Sequence, residues 1–287
     1  MSDLLRGTKN FRAFRDALEE VALVEVSEVL REKQREALLG EKDRVRHYAS
    51  LGEVEVDDRV PTLYIAHELL DALPVHQFVK RDGAWREVLV DVADEDEGQH
   101  AFRLVVAPYD TFALRTVLPA RLRELDEATR ESLDAIEVSP AVIGLVSDLA
   151  QRIKKNGGAA ILIDYGQDGP YESSLVGIKN HDFVDVLSDP GKVDLSAYVD
   201  FDAVRSSAKK EGVVMHGPID QGILIKALGI DERLQALVDS NAGGDDDATK
   251  RLVDGYRRIV GGGNGEMGVR YKAVCLMNEA RGGAVGF

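Results

Sequence analysis

Thr62-Leu63-Tyr64-Ile65-Ala66-His67-Glu68-Leu69-Leu70-Asp71-Ala72-Leu73-Pro74-Val75-His76-Gln77-Phe78 decides how this chain is read. An apolar, β-rich run after Pro61 leads straight into acids and histidines, as a short buried strand does when its carboxyl end opens on a ligand cleft. Upstream, Val21-Ala22-Leu23-Val24-Glu25-Val26 is a second continuous apolar run, closed by an acid. Ser27 then fits the N-cap of a helix over residues 29–39 that Gly40 ends, and residues 44–48 fit a further short strand. Downstream, residues 140–155 read as a helix ended by Asn156-Gly157, and Ala159-Ala160-Ile161-Leu162-Ile163 as a strand running into Asp164-Tyr165-Gly166. Strands alternating with helices in this way predict an α/β fold with a doubly wound sheet.

Between Phe78 and Val138 the rhythm changes. Val79-Lys80, residues 85–90 and residues 102–107 are extended segments, separated by Arg81-Asp82-Gly83 and by an acidic loop at residues 94–98. The expected organisation is an α/β core made of residues 1–77 and 138–287, carrying an antiparallel β and helical insertion over residues 78–137. Asp189-Pro190-Gly191 and Gly217-Pro218 predict turns, residues 222–228 a helix stopped by Gly229, residues 240–247 a solvated loop, and residues 269–276 a last strand before a tail at 281–287.

With 287 residues and 44% hydrophobic content, the chain can bury a full core, and it has no apolar run long enough to span a bilayer, so membrane insertion is not expected. Its 36 basic and 51 acidic residues give a formal charge of −15, which speaks against nucleic-acid and anionic-membrane binding and in favour of a cationic partner or substrate. The single cysteine, Cys275, lies in an apolar run and reads as a core residue, so there is no disulfide framework.

Glu25, at a strand end, has the geometry to accept hydrogen bonds from both hydroxyls of a nucleotide ribose; a solvated strand end is the plain alternative. Glu68 and Asp71 lie about one turn apart if their segment is helical, and such a pair suits a guanidinium held in fork geometry; a solvent-facing acidic turn is the plain alternative. His67 and His76 are candidates for proton removal, although histidines at element ends are commonly packed or capping residues. Two further patterns are weak. His67-Glu68-Leu69-Leu70-Asp71 has the outline of a zinc hydrolase helix, but Pro74 follows at once. Gly263-Asn264-Gly265-Glu266-Met267-Gly268 spells a phosphate-loop string, but it follows a helical segment and opens a strand, the reverse of the order a cradle requires.

Several strings resemble the MidA-like methyltransferases, whose mitochondrial members are complex I assembly factors. They are residues 23–27, 66–78, 158–166 and 193–201, with Gly217-Pro218-Ile219-Asp220-Gln221-Gly222 and Met267-Gly268-Val269-Arg270-Tyr271-Lys272 extending the likeness towards the end. The resemblance implies a seven-stranded Rossmann-like fold and S-adenosyl-L-methionine as cofactor. It also implies a protein-arginine N-methyltransferase that symmetrically dimethylates an arginine of a core subunit of complex I in the mitochondrial matrix. Mapped onto this sequence, Glu25, Ser27, Ala66 and His67 would bind the cofactor, and Glu68 and Asp71 would flank the transferred methyl group, with Asp164 a weaker candidate for that cleft. Family members carry a glycine-rich turn, Glu-Leu-Gly-Pro-Gly-x-Gly-Thr, upstream of the segment that Leu4-Leu5-Arg6-Gly7-Thr8-Lys9 resembles. A chain starting at Met1 is therefore expected to be N-terminally truncated, lacking the first strand, the cradle and any targeting signal, and to be an incomplete form of the enzyme. Two other readings stay open: a non-catalytic complex I assembly scaffold holding a basic partner segment, and a zinc hydrolase on His67, Glu68 and Asp71. A homodimer is compatible with all three.

Overall fold

The computed structural model describes residues 1–55, 57, 60–93, 101–241, 246–278 and 282–287. By contact the chain divides into two units, Met1–Asp58 and Arg59–Phe287. In the first, the strands Val21–Val24 and Val45–Tyr48 pair in parallel, Val21 opposite Val45. Leu5, Val21 and Leu38 form its buried core, with Leu18, Leu23 and Val45 packed around them. Ser27 caps the helix Glu28–Ala37 by accepting from the Leu30 N–H at 3.4 Å. Gly40 does not end that helix directly but sits in a following 3-10 turn, Leu39–Glu41.

The second unit is built on the strand Gly158–Gln167. Thr62–His67 runs parallel to its first half, with Ala66 opposite Leu162 and His67 opposite Ile163, and Val199–Asp200 runs parallel to its end. Tyr271–Met277 pairs antiparallel to it, and Val214–Asp220 pairs antiparallel to that strand in turn. Behind them lies the helix Pro140–Asn156, capped by Ser139, whose buried positions Val142, Val146, Leu149, Ala150 and Ile153 form one stripe. It packs against the helix Phe201–Lys210, and the strand residues Leu162, Val274 and Leu276 are likewise removed from solvent. Burying one such side chain stabilises by roughly 1.5–3 kcal/mol.

His76–Arg81, Ala84–Val92, Phe102–Val106 and Ala135–Val138 form a four-stranded antiparallel sheet within this second unit, where the sequence placed an insertion. The helix Phe112–Leu122 covers one of its faces through Ala113 and Leu118, which meet Phe78, Ile136 and Val138. Arg121 on that helix is buried and donates to Asp200, Asp202 and Glu124, so it ties the sheet's helix to the start of Phe201–Lys210. A small antiparallel sheet, in the order Asp182–Val184, Val176–Lys179, Asp194–Ser196, completes the unit.

Among the described residues the strands form sheets of two, three, four and five. Two expectations are corrected. Gly217-Pro218 is not a turn but lies inside Val214–Asp220, where the pairing with Tyr271–Met277 skips between His216 and Ile219 and so leaves the proline without a donor role. The loop expected at 240–247 does not include its ends: Ser240 ends the helix Ile230–Ser240 and Asp246 opens Asp246–Val260. Residues 242–245, like the acidic loop at 94–98 and Arg281 of the tail, lie outside the described residues. Cys275 is buried, as expected. No helix among the described residues is long and apolar enough to cross a membrane.

Gly158 shows why one backbone position cannot change. Its φ is +101°, and a Cβ there would sit 1.9 Å from the carbonyl oxygen of Thr62 on the neighbouring strand. Gly158→Ala is expected to destabilise by about 3 kcal/mol or more, read as a lowered thermal midpoint. An unchanged midpoint would mean that the two strands part easily at that point.

Candidate active site

The strand Thr62–His67 does not run into a helix. Glu68 follows it with its N–H still bonded to the Ile163 carbonyl at 3.0 Å, and its backbone then turns into the left-handed region at φ 51°. A non-glycine residue adopts that conformation only when its surroundings hold it. What holds it is Asp164, whose Oδ2 accepts from the successive N–H groups of Leu69, Leu70 and Asp71 at 3.1, 2.8 and 3.3 Å. Its Oδ1 accepts from the Tyr165 N–H at 2.9 Å. The expected helical pairing of Glu68 with Asp71 is therefore replaced by a tight turn wrapped on a carboxylate, and His67 and Asp71 are not one helical turn apart. That removes the geometry a zinc hydrolase needs, and no group of three or more metal-ligating side chains is found among the described residues.

Asp164 was expected at a strand end. It lies inside Gly158–Gln167, on the face that also buries Ala160 and Leu162, and is 1% exposed. Burial, with the nearby charge of Asp71, pushes its carboxyl up to about 7 against the N–H groups that favour the charged form. Lys272, opposite it in the register, gives its ammonium to Asp220 instead, at 2.5 Å.

Glu68 and Asp71 point to different tasks. Asp71 is buried; its Oδ2 accepts from Ser196 Oγ at 2.8 Å and its carbonyl from the Ala197 N–H at 2.9 Å, which latches the turn to the segment after Asp194–Ser196. Desolvation raises its pKa, with Glu68 and Asp194 adding to the effect and the Ser196 hydroxyl opposing it. Glu68 is exposed, and its Oε1 accepts from the Tyr271 hydroxyl, which also meets the Tyr165 hydroxyl. Burial and these contacts push Tyr271 well above an ordinary phenol.

Around that carboxylate stands an aromatic group that sequence reasoning did not single out. Tyr165 lies 4.0 Å from Tyr271 and stacks on Tyr198 at 5.9 Å with 13° between the planes, while Tyr171 meets Tyr198 edge-on at 5.3 Å. His67 stacks on Tyr271 at 6.0 Å. The available signal was that Tyr165, Tyr198 and Tyr271 each fall within one of the resembling strings. His76, by contrast, turns to the buried carboxylate of Glu87 at 2.6 Å, and Gln77 donates to Glu137 at 2.8 Å.

In the first unit, Glu25 sits just past the strand Val21–Val24, its N–H bonded to the Tyr48 carbonyl at 3.0 Å and its carbonyl accepting from Arg31 at 2.5 Å. One carboxylate oxygen accepts from the Ser27 N–H at 2.8 Å. The side chain is thus oriented, with its second oxygen available to a ligand hydroxyl. Gly263 to Gly268 form no cradle: Glu266 closes the turn onto the Gly263 N–H at 2.5 Å, and a Cβ at Gly268 would sit 2.0 Å from the Val260 carbonyl oxygen.

Residues 1–219 match the family model described as "putative S-adenosyl-L-methionine-dependent methyltransferase". The chain belongs to that methyltransferase family. It is 35% identical over 281 residues to the mitochondrial protein arginine methyltransferase NDUFAF7 of Danio rerio, covering 91% of this chain and 62% of that protein. The Mus musculus protein of the same name is 37% identical over 220 residues, covering 77% of this chain and 47% of that one. The methyltransferase chain thus spans about half to two thirds of the length of these relatives. A Burkholderia thailandensis crystal structure with bound S-adenosyl-homocysteine shares the fold, with a TM-score of 0.76 at 24% identity, covering 99% of this chain and 70% of the other.

Proposed function

We propose that this chain belongs to a protein-arginine N-methyltransferase that uses S-adenosyl-L-methionine and symmetrically dimethylates an arginine of a core subunit of complex I in the mitochondrial matrix, a step required for assembly of that complex. The observation that carries the reading is Glu68: an exposed carboxylate in a strained backbone position, fixed from below by Asp164 and from the side by Tyr271. Relatives named as arginine methyltransferases support the choice of acceptor, and the charge of −15 suits a basic protein segment.

When bound, the cofactor supplies an electrophilic methyl group. Transfer to a guanidinium nitrogen is an in-line displacement, so the protein's task is alignment and charge stabilisation rather than covalent catalysis. Glu68 holds the guanidinium and stabilises its positive charge. Asp71 acts one step back: buried, with its pKa raised by desolvation, and bound to Ser196, it fixes the turn that aims Glu68. Glu25, already oriented by the Ser27 N–H, fits a ribose hydroxyl with its second oxygen.

The test is methyl transfer from labelled S-adenosyl-L-methionine to arginine-containing segments of complex I core subunits, with mass spectrometry of the product. Symmetric dimethylarginine is expected; label on lysine alone, or on no protein at all, rejects the reading. For the cofactor, Glu25→Gln is expected to weaken S-adenosyl-homocysteine binding about tenfold by calorimetry, since a charge-assisted hydrogen bond becomes a neutral one. Equal affinity would remove Glu25 from the cofactor site.

A further inference from the structure

Arg270 is the anomaly in an acidic protein. With 51 acidic residues in the chain, its guanidinium lies over the Tyr165 ring, 5.7 Å from the centroid, and donates to the Tyr198 hydroxyl at 3.3 Å. The groups that favour its charged form are all tyrosines: Tyr198 first, then Tyr165 and Tyr271. It forms no ion pair among the described residues. A guanidinium on an aromatic face with one hydroxyl acceptor is a cation–π arrangement, and at an exposed site it is weak enough to be displaced.

The position matters as much as the contact. Tyr165 stacks on Tyr198 and also meets the buried Tyr271, and Tyr271 hands its hydroxyl to Glu68. One connected group of rings therefore carries a guanidinium on Tyr165 and the Glu68 carboxylate on Tyr271. Two stacked rings at 5.9 Å with nearly parallel planes, an accepting hydroxyl and a nearby acid are the elements that recognise an alkylguanidinium.

We propose that Tyr165 and Tyr198 form a guanidinium subsite, that Arg270 occupies it as the chain's own stand-in, and that the arginine of a protein substrate takes the subsite by displacing Arg270. The identity of that substrate rests on the arginine-methyltransferase reading; the existence of the subsite does not. Arg270 acts as a competitor tethered beside its site, so the apparent affinity for an incoming guanidinium is lowered by the fraction of time Arg270 is seated.

The experiment is a titration of the chain, labelled with ¹³C in its tyrosine rings, with methylguanidine at millimolar concentration, comparing wild type with Arg270→Ala and Arg270→Gln. Tyr165→Phe and Tyr198→Phe assign the ring signals. The Tyr165 and Tyr198 signals should move on titration, and the dissociation constant should fall about fivefold to tenfold in both Arg270 variants. The glutamine variant keeps most of the side-chain stem, so it carries the test if the alanine variant does not fold. Equal affinity in wild type and variants, movement confined to other tyrosines, or no binding in any of them overturns the proposal. Steady-state methyl transfer to an arginine peptide separates the two readings: a lowered KM in Arg270→Gln agrees with displacement. A complete lack of transfer in every form rejects the arginine-methyltransferase reading of this chain and leaves the binding result to decide the subsite alone.

Discussion

In a version extended to the full length of the relatives, Glu68→Gln is expected to reduce methyl transfer about a thousandfold while moving the thermal midpoint by no more than about 2 °C. Glutamine has the same shape and tolerates φ 51° no worse than glutamate, and its carbonyl oxygen still accepts from the Tyr271 hydroxyl. The N–H groups of Leu69, Leu70 and Asp71 remain on Asp164, so the turn keeps its shape. What disappears is one negative charge where the guanidinium is held. A preorganised charge of this kind does not reorganise during the reaction, which is why a single such group is worth two to three orders of magnitude. Kinetics of both proteins on the same arginine peptide decide the matter. Turnover within tenfold of wild type would assign Glu68 to the architecture of the turn alone.

The elements that local chemistry governs were legible. Ser27 caps the helix the sequence assigned to it, Gly157 ends its helix at φ +80°, and the apolar run at 159–163 is a strand that buries Ala160 and Leu162. Elements set by distant partners were not. Gly217-Pro218 carries the local signature of a turn, yet the pairing of its strand with Tyr271–Met277 overrides it. The helix Phe112–Leu122 was missed because it contains Pro119 and buries Arg121, and both argue against a core-facing helix until Asp200 and Asp202 supply the partners.

The candidate site divides the same way. The acids at 68 and 71 could be read from the end of an apolar run, but their roles could not, because spacing suggested a helix and the fold makes a turn. No local signal announces a glutamate at positive φ; the cause lies far downstream at Asp164, which accepts from the Leu69 N–H across 95 residues. The aromatic surface is still less local, since the Tyr271 hydroxyl reaches Glu68 across 203 residues and Tyr165 across 106. Four of the chain's eight tyrosines meet there only because separate strands and loops converge.

Asp164 also gives the chain an unusual pH dependence. Most native carboxylates titrate below their unfolded value, so they stabilise the fold above about pH 4 and lose that effect in acid. Asp164 runs the other way. Burial first, and the charge of Asp71 second, raise it from 3.8 to about 7, so the folded state holds the proton more tightly than the unfolded chain. Its contribution is therefore complete below about pH 4 and is lost as pH rises through 7, by about 4 kcal/mol at the limit. The groups facing it set this balance. Asp71 on the turn opposes ionisation, the N–H groups of residues 69–71 and Tyr165 favour it, and Lys272 is engaged by Asp220 and does not neutralise it. Asp164→Asn removes the titration and keeps one oxygen for the turn, while its amide group faces the Tyr165 N–H, a mismatch of about 1–3 kcal/mol. Denaturant unfolding of both proteins at pH 5 and pH 8.5 should then show wild type clearly more stable at the lower pH and its advantage shrinking or reversing at the higher one. Titrations elsewhere are common to both proteins and cancel in the difference. Parallel stability profiles would mean that the four N–H groups hold Asp164 ionised throughout, and the turn under Glu68 would then rest on a permanent buried charge rather than on a proton that comes and goes near neutral pH.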